Sequence, residues 1–159
     1  MHTTSFSFTI RRATLADADH VAQCVDAAYG KWVPIIGMKP GPMLDDYRTV
    51  IETEVVFVAE QAGRIVGLLV LAEDAEGFLL ENVAVHPDAS GRGIGRALLA
   101  LAESEARARG SAEIHLYTHE RMASNIALYE RIGYVDYAHR VESGFARVYM
   151  RKQLRRGDA

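Results

Sequence analysis

The sequence predicts a mixed α/β (α+β) fold on three observations. The runs "EVVFVAE", "QAGR" and "IVGLLVLAE" read as a strand, a turn and a second strand. A long helical pattern follows a loop that carries three glycines in five residues, Gly91, Gly93 and Gly95. Helical and strand patterns then alternate to the end of the chain, without a repeat or a low-complexity segment. With 159 residues and 49% hydrophobic content, one core is the natural outcome. Residues 1–154 are therefore expected to form a single domain, and "RRGDA", residues 155–159, a frayed tail.

In "FSFTIRRA", Phe6, Phe8 and Ile10 alternate on one face, so an opening strand is expected. Thr14 with Asp17 then offers a helix start, and that helix should end near Gly30. "KWVPIIGMKPGPM" holds three of the four prolines among apolar residues and reads as an irregular loop, long enough to have a functional role. "LDDYRTVIE" resumes a helix, the hairpin follows, and "GFLLENVAV" gives a third strand. After the glycine loop, Ile94, Leu98, Leu101, Ala102 and Glu105 mark one helical face, and Gly110 stops it. "EIHLYT" is a strand and "MASNIALYERIGY" a short helix ending before Gly133. "YVDYAHRV" and "FARVYMRKQL" are two more strands joined around "ESG". The expected order is β-α-α-β-β-β-α-β-α-β-β.

The net charge of -3 and a pI near 6.1 give no basic field, so neither nucleic acid nor an anionic membrane is the expected partner. No window approaches eighteen apolar residues, and "MHTTSFSFTIRR" lacks the apolar stretch of a signal peptide. A cytoplasmic location is expected. Cys24, the single cysteine, sits in a helical pattern as a small apolar residue would. A homodimer is left open.

The glycine loop excludes two nucleotide motifs. A dinucleotide fingerprint needs GxGxxG, and the position of its third glycine is Arg96; no lysine and hydroxyl pair follows for a triphosphate loop. What remains is physical. Glycines let a ligand approach the backbone, a helix start presents unpaired N–H groups, and Arg92 and Arg96 add positive charge. A phosphate or pyrophosphate is the natural guest, and a tight strand-to-helix turn is the alternative.

The stretch "VAVHPDASGRGIGRALL" resembles the acetyl-CoA-binding motif of the GNAT N-acetyltransferase superfamily, in which Gln or Arg, two residues, Gly, any residue, and Gly or Ala follow in order. Gly93 and Gly95 match, and Ser90 stands at the Gln or Arg position. "NIALYERIGY" is similar to the second motif through Leu128, Tyr129, Gly133 and Tyr134. Met122 stands where these enzymes often carry asparagine. Asn125, one turn later on the same helical face, is the candidate to supply that amide. The resemblance implies a central, mostly antiparallel twisted sheet flanked by helices. It also implies acetyl transfer from acetyl-CoA to an amine in a ternary complex.

Three chemical roles then need residues. An alkyl ammonium with a pKa near ~10.4 must lose a proton before attack. Glu81 is the candidate base, because it interrupts the apolar run "FLLENVAV" where a carboxylate is costly unless paired or used; an ion pair or a solvent-facing position is the alternative. The resemblance assigns stabilisation of the thioester oxygen to the backbone of Val85, with Val83 and Ala84 pairing to the pantetheine arm. It assigns protonation of the departing thiolate to Tyr129. Ser90, Gly91, Arg92, Gly93, Ile94, Gly95 and Arg96, with Asn125 and Tyr129, complete the expected cofactor contacts.

No metal is expected. His115 and His119 have a helical ligand spacing but fall on a strand and the loop after it. The resemblance implies that the loop between the first two helices lines the acceptor pocket, with Tyr29, Trp32 and Met38 as candidate contacts beside Ile36 and Met43, and with Lys31 or Lys39 available to a carboxylate; packing of these loop residues into the core is the alternative. The expected acceptor is a primary amine of a small molecule or peptide. Acetylation of protein N-termini or lysines, and a non-catalytic acyl-CoA-binding module, are the alternatives.

Overall fold

A computed structural model describes residues 7–154. Phe6 of the expected first strand, and the tail 155–159, lie outside the described residues. The chain forms one seven-stranded sheet in the order β1-β2-β3-β4-β5-β7-β6. The strands are β1 Thr9–Arg12, β2 Val55–Gln61, β3 Arg64–Asp74, β4 Gly77–Val85, β5 Glu113–His119, β6 Val135–Glu142 and β7 Phe145–Gln153. All neighbours are antiparallel except β4 and β5, which are parallel. The helices are α1 Ala18–Tyr29, α2 Val33–Ile36, α3 Tyr47–Thr53, α4 Ile94–Ala108 and α5 Ala123–Arg131. Among the described residues no helix is long and apolar enough to cross a membrane.

The segment expected to be an irregular loop is partly helical. Gly30 keeps helical angles (φ -54, ψ -36), so the chain continues through a 3-10 turn, Gly30–Trp32, into α2. Pro34 falls in the first turn of α2, where its missing N–H costs no helical bond. Gly37, at φ +88, ends it. The expected order therefore gains one short helix. The helix read from Leu44 begins later, at Tyr47, because Asp46 takes the capping position and accepts from the Arg48 N–H at 3.1 Å.

Both faces of the sheet are covered. On one face, Leu69 and Leu71 of β3, Leu80 of β4, and Ile114 and Leu116 of β5 meet α4 and α5. On the other, Val56, Val58, Leu68 and Val70 meet Val21 and Val25 of α1. β3 is buried on both sides, which is why its sequence is continuously apolar and does not alternate. The buried face of α4 is Ile94, Leu98, Leu99, Ala102 and Ala106; Leu101 and Glu105, expected on it, are half-buried at its margin. The first turn of α4 sits directly over Gly67 of β3. A Cβ built there would lie 2.9 Å from Ile94 Cγ2 and 3.2 Å from the Ala84 carbonyl oxygen. The absent side chain fixes where α4 begins.

At the entry to α1, Arg11 donates to both carboxylate oxygens of Asp17 (2.8 and 2.9 Å) and to Glu60 (3.0 Å). The Arg11 guanidinium holds the Asp17 carboxyl at about 2, below its usual 3.8. A carboxyl held low contributes stability above its unfolded value and loses it as pH falls through the folded value. The melting temperature of the protein should therefore drop between about pH 4 and pH 2. Asp17→Asn should lower it at pH 7 and flatten that acid limb; an unchanged limb in thermal melts would remove Asp17 as its source. Cys24 is buried, and burial pushes its thiol up to about 11, in keeping with a packing role.

Candidate active site

The site begins at an irregularity in β4. Its pairing with β3 runs from Gly77↔Asp74 to Leu80↔Leu71 and resumes at Asn82↔Val70. Glu81 is thus the extra residue of a β-bulge, a device that re-aims one side chain out of the ladder. On the other edge, β4 pairs with β5 only at Leu79↔His115 and Leu80↔Leu116. Beyond these two pairs the strands part, and a cavity of about 140 Å³ occupies the notch. It brings Tyr29, Glu81, Val83, Asn125 and Tyr129 onto one lining.

Glu81 has a neighbour that the sequence did not reveal. Glu54, the residue that ends α3, interacts directly with it, and the Oε2 atoms of both carboxyls are buried without a hydrogen-bond partner. Two facing carboxylates have only acceptors to offer, so one proton between them satisfies both. Burial first, then the hydrogen bond and charge of Glu54, push Glu81 up to about 8. Burial and then the Glu81 charge also raise Asp45 on the cavity wall.

Asn82 was likewise missed. It is buried, accepts from the Tyr29 hydroxyl (2.6 Å) and donates to the Tyr47 hydroxyl (3.2 Å), which in turn donates to the Pro42 carbonyl (2.6 Å). This chain of bonds ties α1, α3 and the loop at residues 40–45 to β4. The available signal was a second polar residue in the otherwise apolar "FLLENVAV".

Tyr129 is buried, and burial pushes its hydroxyl up to about 12, so it keeps its proton at neutral pH. Its ring meets Tyr134 edge-on at 5.8 Å. Asn125 faces the cavity, whereas Met122 is buried and accepts a hydrogen bond from Thr118 at its sulfur (3.6 Å). The Val83 carbonyl accepts from Tyr29 at 3.3 Å; Ala84 is buried, and Val85 is half-buried against α4.

The glycine loop lies outside the cavity, at the start of α4. Gly91 (φ +76) and Gly93 (φ +86) occupy the left-handed region, so the turn itself requires them, and Gly93 caps the helix. Arg92, Gly93 and Arg96 are exposed, while Ile94 is buried and anchors the loop. The Ser90 hydroxyl donates to the Pro87 carbonyl at 2.9 Å and so braces the loop.

Of the acceptor contacts expected from the first inter-helix loop, Tyr29 reaches the cavity and two do not. Trp32 is buried against α1 with Lys31 over its ring (5.1 Å), and Met38 is 43% exposed. The helical turns described above rotate them away, and Pro40, Pro42 and Asp45 line the cavity in their place. His119 belongs to β5 itself, not to the loop after it, and lines the cavity. His115 does not; its Nε2 lies 3.0 Å from Asp74, and these two with Glu76 form a cluster whose Glu76 is paired to Arg140 at 3.0 Å.

The Acetyltransferase (GNAT) domain family matches residues 52–136, more than half of the chain and the span from α3 to the start of β6. The chain belongs to the GNAT acetyltransferase family. Over 94 residues this GNAT chain is 38% identical to the IAA acetyltransferase of Azospirillum brasilense, a match covering 57% of this chain and 61% of that protein. The chain thus spans about three-fifths of the length of that relative. The PaiA N-acetyltransferase of Thermoplasma acidophilum, solved with coenzyme A, superposes with a TM-score of 0.75 at 18% identity, covering 92% of this chain and 99% of that one. The ribosomal-protein-S18-alanine N-acetyltransferase of Escherichia coli gives 0.74 at 22% identity, with 93% and 94% covered. These likenesses show a shared GNAT fold, a mostly antiparallel sheet between helices.

Proposed function

We propose that this chain moves an acetyl group from acetyl-CoA to a primary amine of a small molecule or peptide, by direct attack in a ternary complex. The observation that carries the reading is the bulge that turns Glu81 into a cavity also lined by Tyr129, in the notch between β4 and β5. Two features suit the cofactor: an exposed glycine turn at the N-terminus of α4, and a β4 edge not laddered to β5 beyond Leu80. Gly91, Gly93 and Gly95, with Ser90, Ile94, Arg92 and Arg96, would hold its pyrophosphate; Val83, Ala84 and Asn125 would hold its pantetheine arm. When bound, acetyl-CoA supplies a thioester carbonyl.

The residues of the chain then divide the proton work. The carboxylate of Glu81, partnered by Glu54, takes a proton from the acceptor ammonium, and a base titrating near working pH is suited to that. The Val85 N–H is the donor for negative charge developing on the carbonyl oxygen. The Tyr129 hydroxyl, protonated at neutral pH, gives a proton to the departing sulfur.

The test is acetyl-CoA-dependent thiol release across a panel of primary amines, with thermal melts alongside. Acetyl-CoA at a hundredfold excess over its Kd should stabilise the fold by about 2.7 kcal/mol. Gly95→Val should fold, because a Cβ there lies at an ordinary 3.5 Å from Val85 Cγ2 in a helical position, yet it should lose the cofactor shift. Retention of the full shift would move the cofactor elsewhere.

A further inference from the structure

The cavity has two electrical poles. Glu81 and Asp45 make one wall acidic. Arg147 of β7 lines the same cavity, its Cζ lying over the Tyr117 ring, 4.5 Å from the centroid, and 5.7 Å from that of Phe145. One of its N–H groups also bonds the Tyr149 hydroxyl, and a guanidinium has five such donors, so others remain for a partner. The only carboxylate within 4.0 Å of Arg147 among the described residues is Glu142, at that limit, and Glu142 already accepts from the Tyr149 hydroxyl. Arg147 forms no ion pair with Glu81 or Asp45 although all three line the same cavity.

Among the described residues no other permanent cation lines it. His119 is there, but burial lowers its pKa, so at neutral pH it is uncharged. Lys31 lies over Trp32, and neither it nor Lys39 lines the cavity. A guest carrying one positive and one negative group meets a complementary wall for each. A simple amine leaves Arg147 with no anionic partner beyond Glu142 at 4.0 Å.

We infer that the acceptor is an amine carrying its own carboxylate, an amino acid or a close relative, with its ammonium toward Glu81 and Asp45 and its carboxylate on Arg147. The planar fork of Arg147 matches a carboxylate through two parallel N–H···O bonds. The inference rests on the acetyl-transfer reading above. It places the specificity of that site in β7, outside the matched family segment of residues 52–136.

The experiment compares matched acceptors: a set of L-amino acids, their amides, and the amines left by removing the carboxyl group. Acetylation is followed as thiol release and by mass. The free acids should be preferred in kcat/KM by about 10- to 100-fold, the scale of a charge-assisted hydrogen-bonded pair. Arg147→Met, which keeps an apolar stem against Tyr117, should bring the acid-to-amine ratio near one, and Arg147→Lys should keep part of the preference. Both variants should retain the acetyl-CoA-induced rise in Tm, which shows that they are folded.

Equal use of acids, amides and amines overturns the inference, as does a preference that survives in Arg147→Met. So does acetyl-CoA binding with no acid in the set acetylated, an outcome that leaves the cofactor site intact. Absence of the acetyl-CoA shift in the parent protein fails the acetyl-transfer reading first, and the acceptor class with it.

Discussion

Glu81→Gln is expected to lower turnover by about 100- to 10,000-fold at pH 7, the usual range for removing a positioned general base. The amide keeps the shape of the carboxyl and loses its basic lone pair. Acetyl-CoA should still raise Tm. In the parent protein kcat/KM should climb as pH passes through about 8, the value to which burial and Glu54 push Glu81. Because the two carboxyls are coupled, that value belongs to the pair. Glu54→Gln removes the neighbouring charge, so the limb should move to lower pH. The rate of Glu81→Gln should recover partly at high pH, where free amine is plentiful.

Stability carries the opposite sign. Glu81 titrates higher folded than unfolded, so the folded state holds the extra proton. Its contribution is full below about 4.5 and is lost as pH rises through about 8. Glu81→Gln should therefore melt higher than the parent at pH 9, with a smaller gain at pH 5. Parallel pH–rate profiles at equal rates, or a variant less stable at pH 9, would sink the assignment.

Gly67→Val should destabilise the fold by about 3 kcal/mol, a fall in Tm of about 6–12 °C at this chain length. Valine suits a strand in general, so the loss would come from crowding alone. The obstacles are the Ala84 carbonyl, fixed in the sheet, and two side-chain atoms of α4, Ile94 Cγ2 at its first turn and Leu98 Cδ1. The helix must lift, and the glycine turn at its head lifts with it, so acetyl-CoA affinity should fall as well. Ile94→Ala in the same chain should recover part of the stability, and the double-mutant cycle should give a favourable coupling. A cycle without coupling would mean that the strain is released elsewhere.

What the sequence made legible was set by local periodicity. The hairpin 55–74 and the strand "GFLLENVAV" lie where apolar runs and turn residues put them, and α4 follows its glycine turn. Interruption of an apolar strand by a carboxylate was enough to single out Glu81. Its bulge was not legible, because a register shift belongs to two strands at once. Glu54 and Glu81 stand 27 positions apart and meet only because α3 ends where β4 bulges. Arg147 is one of several arginines in its region, and Arg140 and Arg151 also lie over tyrosine rings of a neighbouring strand; its place on the cavity lining sets it apart. The reading of Trp32 and Met38 as acceptor contacts failed to reach the cavity for a related reason: helical turns in a proline-rich segment decide which side chains face inward.

The early parting of β4 from β5 has a consequence for aggregation. A strand edge with unladdered main-chain groups invites another chain to add to it, and proteins blunt such edges with short strands and charge. The two outer strands follow that rule: β1 has four residues, two of them Arg11 and Arg12, and β6 carries Asp136, His139, Arg140 and Glu142. The edge opened beyond Leu80 is different, because it lies inside the sheet, between β3 on one side and β5 on the other. A foreign strand cannot dock broadside in a notch closed at Leu79 and Leu80, whereas a thin flexible molecule can enter it lengthwise. The fold thus offers peptide groups to a small guest while withholding them from other copies of itself.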